Sequence, residues 1–600
     1  MPLKGSYRSE VALGIMLLTF ATIVSYSPLN DAQAIFDDIT LFLNDPMMTN
    51  PEGWWRIWLR PLENNNAWPY LPITRSTFWI EQQLFGFNLS VTHWINVILH
   101  LATALLLWIV LQQLSFKSAW FVAMFFALHP IHVQSVAWIA ERKNVVSGVF
   151  FMLTLWGYAS FEKTGKKGIY FLTLGLYLGA LLSKTATIML PFLFIFYRLW
   201  RRSSWQKAEL GALLPFFLLA LFIGPLRVWY ELVYSGATDD LYGRSFLERL
   251  LIAGKIPFFY LSKITLPFPL MFHYPKWSDE LDQAFLYIPL LSIVIVLGIL
   301  CHKYRSWGRP LILGLMAYGV LLFPVLGFFN NAWTQFSYVA DHWVYLPSII
   351  VSILLVSGAH LGIEWIAKRS PAFLTQKTIT GVISVVIFST MASLTWHQTL
   401  AYKNLESLSK ESIAKNPAAW LAHYNLGIVY EERGETKLAL EKFSQAIDFS
   451  PRFTDAYEHR GLAHLKLKQY QLATNDFSRA IQLDPKSASF YGNRGLALFQ
   501  LKQYDEALRD LDTALQLDPN SAEIYNNRGV MLLDLKRFPE AIKDLNNAIE
   551  LNTGAAKAYI NRGLAFHNLL QHKAACLDWQ HACRLGECEY LQWAKKNEEC

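Results

Sequence analysis

Two adjacent carboxylates, Asp37 and Asp38, follow the first apolar run of the chain, and their chemistry is the easiest to assign. A carboxylate there can take the proton of an attacking hydroxyl group, or hold a divalent metal ion that activates the hydroxyl. Acidic pairs are also common at helix N-termini, where they stabilise the positive end of the helix dipole. The pair is therefore a candidate catalytic site only if the rest of the chain provides a suitable substrate site.

Cations follow in several later segments, and they have the charge needed to hold a phosphate group and to stabilise it as it leaves. The candidate phosphate ligands are Arg75, Arg142, Lys143 and Lys184. Other candidates for the site are Arg60, His129, His132, Glu141, Tyr274, Asp341 and His342. Ionisable groups at the ends of apolar runs are costly to keep, so each is a functional candidate, with a helix-end anchor as the alternative.

The elements that must position these residues are membrane helices. Up to residue 402 the chain is a series of apolar runs, and the aromatic share of 15% is typical of proteins with interfacial belts. We predict about eleven spans of the length that a bilayer requires. They lie near residues 11–29, 92–113, 118–133, 144–161, 169–184, 186–200, 209–230, 285–302, 309–327, 344–363 and 378–397. The run 246–270 is less apolar, and we expect it to be re-entrant or to lie along the surface.

Basic residues set the predicted orientation, because cytoplasmic loops carry the excess of Lys and Arg. Clusters of Lys and Arg near residues 117, 163–167, 201–207, 303–309 and 368–377 fall in alternate loops if 246–270 does not cross. The N-terminus is then cytoplasmic, and Asp37, Asp38 and the C-terminal half are extracytoplasmic. The net charge of +7 lies largely in these loops, so it gives no reason to expect a nucleic-acid partner.

The C-terminal part repeats with a period of 34 residues, which is the tetratricopeptide pattern. The units begin at Pro417, Pro451, Pro485, Pro519 and Thr553, and each has Gly at its eleventh position and Ala at its twenty-third and thirtieth. Small residues at these points let two helices per unit pack closely. The sequence thus predicts an all-α chain, with a membrane domain at 1–402 (candidate catalytic loop 30–90), a linker at 403–416, five repeats at 417–586 and a tail at 587–600.

An asparagine row marks the first helix of the repeats, which lines the concave surface of a tetratricopeptide solenoid. Its members are Asn425, Asn493, Asn527 and Asn561. Asn side chains can hydrogen-bond the backbone of an extended peptide without reading its sequence. The alternative is that Asn-Arg-Gly is simply common in such repeats, so peptide binding here stays a hypothesis.

Four cysteines lie near the end of the chain, at positions 576, 583, 588 and 600. Cys576 and Cys583 are seven residues apart on a presumed helix, about 10 Å along its axis, and are too distant to pair with each other. In an oxidising compartment either of them would pair with Cys588 or Cys600. The alternative interpretation is that they are small apolar residues of a capping unit.

Sugar transfer from a lipid phosphate is the chemistry that an extracytoplasmic acidic loop, cations at membrane depth and aromatic belts fit together. The motifs IFDDITLFLNDP, RPL, FGFNLSVTHWINVILH, ALHPIHVQSVAWIAERKN, LLSKTATIMLP and DHWVYLPSI follow one another, and repeats come after them. In this order they resemble the transmembrane and tetratricopeptide-repeat O-mannosyltransferases, and more closely their prokaryotic relatives. The resemblance spans nearly the whole chain, and Asp37 and Asp38 match the acidic pair of that family.

The resemblance implies a GT-C fold, a polyprenyl-phosphate sugar donor, inversion at the sugar carbon, and a Ser or Thr hydroxyl of a protein as acceptor. It also implies a multi-pass protein of a prokaryotic inner membrane, with repeats that recruit the acceptor. By the same resemblance, an acid of the Asp37–Asp38 loop is expected to be the base, or the ligand of a divalent cation such as Mg²⁺ or Mn²⁺. The chain departs from the family pattern at Gln134, where Glu is frequent, at Asn144, where Asp is frequent, and at His342, where Arg is usual.

Two other functions are compatible with the sequence. One is a membrane-anchored scaffold whose repeats assemble envelope proteins without catalysis. The other is a transporter or ligase of lipid-linked glycans, although charges at span ends rather than within spans speak against transport. The three departures leave the metal requirement and the choice of donor open.

Overall fold

The computed structural model describes residues 3–38, 43, 45–59, 70–201, 207–234, 245–277, 284–329, 332–369 and 375–600. It is 82% helical, and these described ranges contain no β-strand, which confirms the predicted all-α class. The chain divides into two compact units, residues 1–419 and residues 420–600.

The first unit is built from α-helices of very different lengths. They are α1 (Leu3–Tyr26), α2 (Pro46–Thr49), α3 (Gly53–Leu59), α4 (Pro72–Phe85), α5 (Leu89–Gln113), α6 (Ala119–Leu128), α7 (Val133–Ala137), α8 (Arg142–Thr164), α9 (Lys167–Ser183), α10 (Leu190–Arg201), α11 (Lys207–Tyr234), α12 (Phe246–Thr265), α13 (Ile288–His302), α14 (Arg309–Leu322), α15 (Pro347–Ala367), α16 (Gln376–Ala401) and α17 (Leu405–Lys415). The segment predicted as a linker, residues 403–416, is therefore largely helix α17, which Asn404 caps by accepting the N–H of Ser407.

Seven helices of the described ranges are long and apolar enough to cross a bilayer, or eight if the bent pair 119–137 counts as one span. The predicted spans 169–184 and 209–230 correspond to the shorter apolar helices 167–183 and 211–226. The predicted span 186–200 begins with a 3-10 turn, Thr185–Met189, and continues as α10. The uncertain segment 246–270 forms α12, which contains Pro257. This helix is not among those that are long and apolar enough to cross a bilayer.

A break between α6 and α7 positions the most important segment of this unit. The two helices meet at an angle of 53°, at the sequence His129-Pro130, because proline cannot continue the hydrogen-bond ladder of α6. The chain then runs through short turns to Glu141, with every side chain from residue 127 to residue 142 buried. This irregular, buried segment carries most of the polar groups discussed below.

The second unit is a solenoid of paired helices that confirms the predicted repeats. The pairs are α18 (Trp420–Glu432) with α19 (Thr436–Phe449), α20 (Thr454–Lys466) with α21 (Tyr470–Leu483), α22 (Ala488–Gln500) with α23 (Tyr504–Leu517), α24 (Ala522–Asp534) with α25 (Phe538–Leu551), and α26 (Ala556–Asn568) with α27 (His572–Arg584). A further helix, α28 (Glu589–Lys596), lies in the segment predicted as the tail.

The small residues of the repeat sit where the two helices of a pair approach most closely. A Cβ added at Gly427 would lie 2.5 Å from the ring of Phe443, and one added at Gly563 would lie 2.4 Å from Trp579. The alanines at the twenty-third and thirtieth positions are fully buried in all five units. The spacing of small residues therefore reports helix packing, as the sequence predicted.

Candidate active site

The two acids of the first loop have different surroundings. Asp38 is fully buried, and its carboxylate accepts the backbone N–H of Ile35 at 3.0 Å and that of Ala140 at 2.8 Å. The chain can turn here because Phe36 has a φ of 51°, a left-handed conformation that is unusual for an aromatic residue. Asp38 thus ties the loop after α1 to the buried segment before α8, and Asp37 is the acid of the pair that remains half-buried.

Burial raises the pKa of Asp37 to about 6, with Lys143 opposing the shift and Glu141 adding to it. Burial likewise raises the pKa of Asp38 to about 8, against the lowering by the N–H groups of Ile35 and Ala140. A carboxylate whose pKa lies near the working pH is suited to proton transfer. Asp37 is the better candidate for a general base, because with a pKa of about 6 it is ionised at neutral pH and its side chain is partly exposed.

Glu141 is the centre of a polar network next to Asp37. Its Oε1 accepts a hydrogen bond from Lys143 Nζ at 2.7 Å, and its Oε2 accepts one from Asn144 Nδ2 at 2.6 Å. Lys184, directly after α9, donates to Asn144 Oδ1. Two cations and one buried carboxylate are therefore joined through the amide of Asn144, with Asp37 close enough to interact electrostatically with both Lys143 and Glu141.

His342 also borders this network, next to Glu141. Its Nε2 is 3.9 Å from Glu141 Oε1, and its backbone N–H donates to Gln134 Oε1 at 3.0 Å. Burial lowers the pKa of His342 to about 3; Glu141 opposes the shift, and Lys184 and Lys143 reinforce it. The imidazole is therefore neutral at physiological pH and adds no charge to the site.

Aromatic rings surround the loop that carries the acids. Phe36 packs against Trp138 at 5.6 Å and against Phe272 at 5.9 Å between ring centroids. Trp333 continues this group, 5.8 Å from Trp138 and 5.0 Å from His342. The acids thus lie beside a rigid aromatic cluster, and edge-to-face contacts of this kind hold ring positions firmly.

Two of the four predicted phosphate ligands are engaged elsewhere. Arg142 is fully buried and donates to Glu81 at 2.5 Å, to Asn96 at 2.7 Å and to the carbonyl oxygen of Thr92 at 2.9 Å. Arg75 is also buried and pairs with Asp45 at 2.5 Å. Both guanidinium groups neutralise buried carboxylates, so the structure places Lys143 and Lys184, and not the two arginines, in the network around Glu141.

The remaining candidates of the membrane unit lie in packing contacts. His129 Nε2 is 2.9 Å from the carbonyl oxygen of Ile264, and His132 Nε2 is 3.3 Å from Ser348 Oγ. Both imidazoles are buried between helices. No described hydrogen bond or ion pair joins either of them to Glu141, Lys143 or Asn144. Arg60 lies outside the described residues.

Tyr274 and Asp341 form a separate buried pair. The Tyr274 hydroxyl donates to Asp341 Oδ1 at 2.8 Å. Burial raises the pKa of Asp341 to about 7 and that of Tyr274 well above its ordinary value. Because Asp341 directly precedes His342, this pair fixes the segment that carries the imidazole.

The asparagines of the repeats connect neighbouring units. Asn493 Nδ2 donates to Glu458 at 3.0 Å, and Asn561 Nδ2 donates to Asn526 at 3.0 Å. Asn527 is half-buried like these two, and the corresponding side chain of the first unit, Asn425, is buried. These bonds use an N–H group of the side-chain amide and leave its oxygen available. The asparagines can therefore still accept a hydrogen bond from a peptide N–H.

Sequence reasoning missed an Arg–Asp clamp inside the repeats. In each case the arginine of the first helix makes a forked pair with an aspartate sixteen residues later, at distances between 2.7 and 2.9 Å. The pairs are Arg460–Asp476, Arg494–Asp510, Arg528–Asp544 and Arg562–Asp578. The signal was available, because the same two residue types recur at a fixed spacing in four successive units.

The comparisons with known proteins cover both parts of the chain. Family models described as tetratricopeptide or TPR repeats match residues 405–453, 454–487, 477–509, 495–536 and 522–552. The solved structure of YrrB, a TPR protein with an unusual peptide-binding site, is 21% identical and covers 32% of this chain and 97% of its own, with a TM-score of 0.27.

Several curated relatives share the name protein O-mannosyl-transferase. F38B6.6 of Caenorhabditis elegans is 23% identical over 472 residues, which are 75% of this chain and 64% of the relative. Human TMTC1 is 24% identical over 506 residues, covering 74% and 56%. Mouse TMTC4 is 24% identical over 496 residues, covering 71% and 65%. The chain thus spans between about half and two thirds of the length of these relatives.

The similarity runs through the membrane unit into the repeats, as the order of the motifs predicted. Over about three quarters of its length the chain is related to the transmembrane and tetratricopeptide-repeat protein O-mannosyl-transferases.

Proposed function

We propose that the chain is a membrane glycosyltransferase that moves a mannose-like hexose from a polyprenyl phosphate to a Ser or Thr hydroxyl of a protein. The observation that carries this proposal is the position of Asp37, a half-buried carboxylate beside the Lys143–Glu141–Asn144–Lys184 network. An acid near its working pKa next to paired cations is what an attack on a lipid-linked sugar phosphate requires.

In the proposed reaction Asp37 takes the proton of the acceptor hydroxyl. The hydroxyl oxygen forms a bond to C1 of the sugar on the face opposite the phosphate, so the configuration at C1 inverts. The bond between C1 and the phosphate oxygen breaks, and its electron pair leaves with the polyprenyl phosphate. Lys143 and Lys184 stabilise the negative charge that grows on this leaving group.

Glu141 and Asp38 act by positioning in this mechanism. Glu141 and the amide of Asn144 hold the two lysine ammonium groups together, which would otherwise repel each other. Asp38 fixes the turn that presents Asp37, through its bonds to the N–H groups of Ile35 and Ala140. Both side chains therefore contribute to the rate without touching the reacting atoms.

The residues around Asp37 do not form a ready cation site. Both oxygens of Asp38 accept backbone N–H groups, and both oxygens of Glu141 accept bonds from Lys143 and Asn144. Within the described ranges, one group of three ligand atoms of His, Cys, Asp or Glu lies within 4.8 Å of one another. That group is His567, His572 and Glu599, far along the chain from Asp37. We therefore derive the reaction without Mg²⁺ or Mn²⁺.

The proposed site faces the extracytoplasmic side, and the disulfides of the repeats support this orientation. Cys576 pairs with Cys600 and Cys583 pairs with Cys588 in the structure. Structural disulfides are typical of oxidising compartments such as the bacterial periplasm. The predicted alternation of basic loops, with a cytoplasmic N-terminus and an odd number of spans, would also place the repeats on that side, in a prokaryotic inner membrane.

The repeats recruit the acceptor protein in this proposal. Tetratricopeptide solenoids bind other proteins, and the half-buried asparagines Asn493, Asn527 and Asn561 offer backbone-reading hydrogen bonds on the first helices. An extended, sequence-independent mode of binding would suit an enzyme that modifies Ser or Thr in more than one context.

The test is transfer by the purified full chain in nanodiscs, from polyprenyl-phosphate mannose to a Ser/Thr-rich peptide, followed by the mass of the product. Asp37→Asn should lower the rate by about 10²–10⁴, as expected for a lost general base. Asp31→Asn is the matched control, because Asp31 is an exposed acid of the same loop.

If the wild-type chain attaches no hexose but still captures the peptide, the chain is a scaffold. If Asp37→Asn transfers as fast as Asp31→Asn, Asp37 is not the base. Addition of glycan polymers rather than single sugars would identify a ligase. Each of the three results contradicts the proposal at a different point.

A further inference from the structure

Three potential metal ligands converge at the end of the solenoid, in a part of the chain that the proposed reaction does not use. His567 lies near the end of α26, His572 begins α27, and Glu599 lies three residues after the end of α28. His567 Nδ1 is 3.0 Å and His572 Nδ1 is 3.9 Å from Glu599 Oε2. One ligand atom from each residue lies within 4.8 Å of the other two.

These ligand atoms are buried, and no hydrogen bond satisfies them. His567 Nδ1, His572 Nδ1 and Glu599 Oε2 are all shielded from solvent at the atom itself and make no hydrogen bond of acceptable geometry. Buried polar atoms without a partner are rare, because each forfeits its hydration. A cation in the middle would satisfy all three lone pairs at once.

We propose that His567, His572 and Glu599 bind a divalent transition-metal cation, for which Zn²⁺ is the best fit. Two imidazoles and a carboxylate are a donor set that Zn²⁺ and its first-row neighbours accept, whereas Mg²⁺ and Ca²⁺ prefer oxygen ligands. Bonds of about 2.0–2.1 Å in a tetrahedral site place ligand atoms about 3.3 Å apart. The distances of 3.0 and 3.9 Å lie on either side of this value, so small side-chain rotations complete the site.

The fourth position of the cation would be taken by a water molecule rather than by a protein ligand. The side chains of His567 and Glu599 are each 26% exposed and that of His572 is 42% exposed, although their ligand atoms point inward. Three protein ligands with an open position describe an exchangeable site rather than a closed structural one. The cation can therefore enter from solution after the chain has folded.

The structure holds the third ligand in place before any cation binds. Cys600, the neighbour of Glu599, forms a disulfide with Cys576 of α27, with a Cα–Cα distance of 5.7 Å. The rings of Trp579 and Trp593 pack on His567, at 5.9 and 5.6 Å between centroids. Pre-organised ligands lose less conformational entropy on binding, which raises the affinity.

The consequence would be a second cross-link close to the disulfide. The disulfide and the cation would both fasten the segment after α28 to the last pair of helices. Metal binding and the stability of this end are then linked, because a cation that binds the folded state alone stabilises it.

The experiment uses the purified full chain in detergent, with its disulfides intact, and Co²⁺ as a spectroscopic substitute for Zn²⁺. We expect visible d–d absorption bands of a tetrahedral or five-coordinate site, one cation per chain, and displacement of Co²⁺ by Zn²⁺. His572→Ala and Glu599→Gln should each weaken Co²⁺ binding at least tenfold. Glu599→Gln keeps the shape of the side chain, so its fold can be compared by thermal unfolding in the absence of metal.

The matched control is His459→Ala. His459 pairs with Glu431 at 2.9 Å in the same solenoid, and among the described residues this pair has no third His, Cys, Asp or Glu within metal-binding distance. Removing this pair should leave Co²⁺ binding unchanged. Absence of the d–d bands, or binding that survives both His572→Ala and Glu599→Gln, would overturn the proposal, and so would equal loss in His459→Ala.

The role of the disulfide has its own variant. Replacing Cys576 and Cys600 together by Ser releases Glu599 without creating a new free thiol beside the site, and the free thiol of Cys301 is the same in both chains. We expect this double variant to bind Co²⁺ several-fold more weakly. Unchanged affinity would show that the disulfide does not pre-organise the site.

Discussion

Replacement of Arg142 by Met tests whether this guanidinium is structural or binds a phosphate. Arg142 is completely buried, and its partner Glu81 is 2% exposed. The substitution removes three hydrogen bonds and leaves the Glu81 carboxylate without its cation in a buried position, with Thr92 as its remaining partner. Breaking a buried ion pair by removing one member costs about 3–5 kcal/mol, most of it from the charge left behind.

Two comparisons isolate this effect. In the double variant Glu81→Met, Arg142→Met both charges are gone, so we expect recovery of most of the lost stability, since apolar replacements of buried pairs are often neutral. Lys143→Met is the catalytic counterpart. Its ammonium group is partly exposed and Glu141 keeps the bond from Asn144, so we expect a smaller loss of stability than in Arg142→Met while transfer falls strongly.

The assay combines unfolding of the full chain in mixed micelles, followed by tryptophan fluorescence, with transfer measured over a range of donor concentrations. A structural Arg142 lowers the free energy of unfolding and leaves the KM for the donor unchanged in the fraction that is folded. A variant with wild-type stability and a KM raised tenfold or more would refute our assignment and return Arg142 to the phosphate site.

Other parts of the molecule give three further predictions. Because the pKa of Asp37 is about 6, kcat/KM should fall tenfold per unit as the pH drops below about 6, and Asp37→Asn should lose this limb of the profile. Arg528→Gln should lower the melting temperature of the repeats by an amount that corresponds to about 1–3 kcal/mol, because the buried aspartate Asp544 loses its forked partner, whereas Arg537→Gln, in an exposed pair, should change nothing in the same melt. Asn493→Ala combined with Asn527→Ala should weaken the capture of an extended peptide in a fluorescence-anisotropy titration, and equal affinity would exclude the asparagine row.

The raised pKa of Asp37 and Asp38 also fixes the sign of the effect on stability. A carboxyl group whose pKa is higher in the folded state binds more protons there than in the unfolded state. Its favourable contribution is therefore complete at low pH and is lost as the pH rises through the folded values of about 6 and about 8. We accordingly expect the membrane unit to lose some stability between about pH 4 and pH 8, the opposite of the usual behaviour of an ion-paired acid.

The repeats could be predicted almost completely from the sequence because their contacts are local and periodic. Gly427 and Phe443 meet within one unit of 34 residues, and the same pair of positions meets again in every later unit. Five copies of one pattern leave little room for a wrong assignment. The coordinates were needed for the Arg–Asp pairs inside the units, and for helix α28 in the segment predicted as the tail.

The membrane site could be predicted in its residue types but not in its pairings. The sequence shows that Arg75 and Arg142 lie near helix ends, and nothing local distinguishes them from Lys143. Their partners are 30 and 61 residues away, so the choice between a buried carboxylate and a phosphate depends on how the helices pack. The difference between Asp37 and Asp38 has the same origin, since Asp38 is bound by an N–H group 102 residues further along the chain.

The three departures from the family pattern turn out to be neighbours, and together they set the charge of the site. Gln134 holds the backbone of His342, His342 faces Glu141, and Asn144 joins Glu141 to Lys184. An acid at position 144 would place its oxygen about 2.6 Å from a carboxylate oxygen of Glu141, a contact that needs a proton or a cation between them.

The amide of Asn144 removes that need, because it donates to one neighbour and accepts from the other. Two lysines, Lys143 and Lys184, then face two carboxylates, Glu141 and Asp37, with His342 neutral. In the proposed reaction, the charge of this group of side chains would rise by one unit when Asp37 takes the proton of the acceptor. That rise would coincide with the extra negative charge on the departing phosphate, so proton transfer itself would strengthen the attraction that stabilises the leaving group.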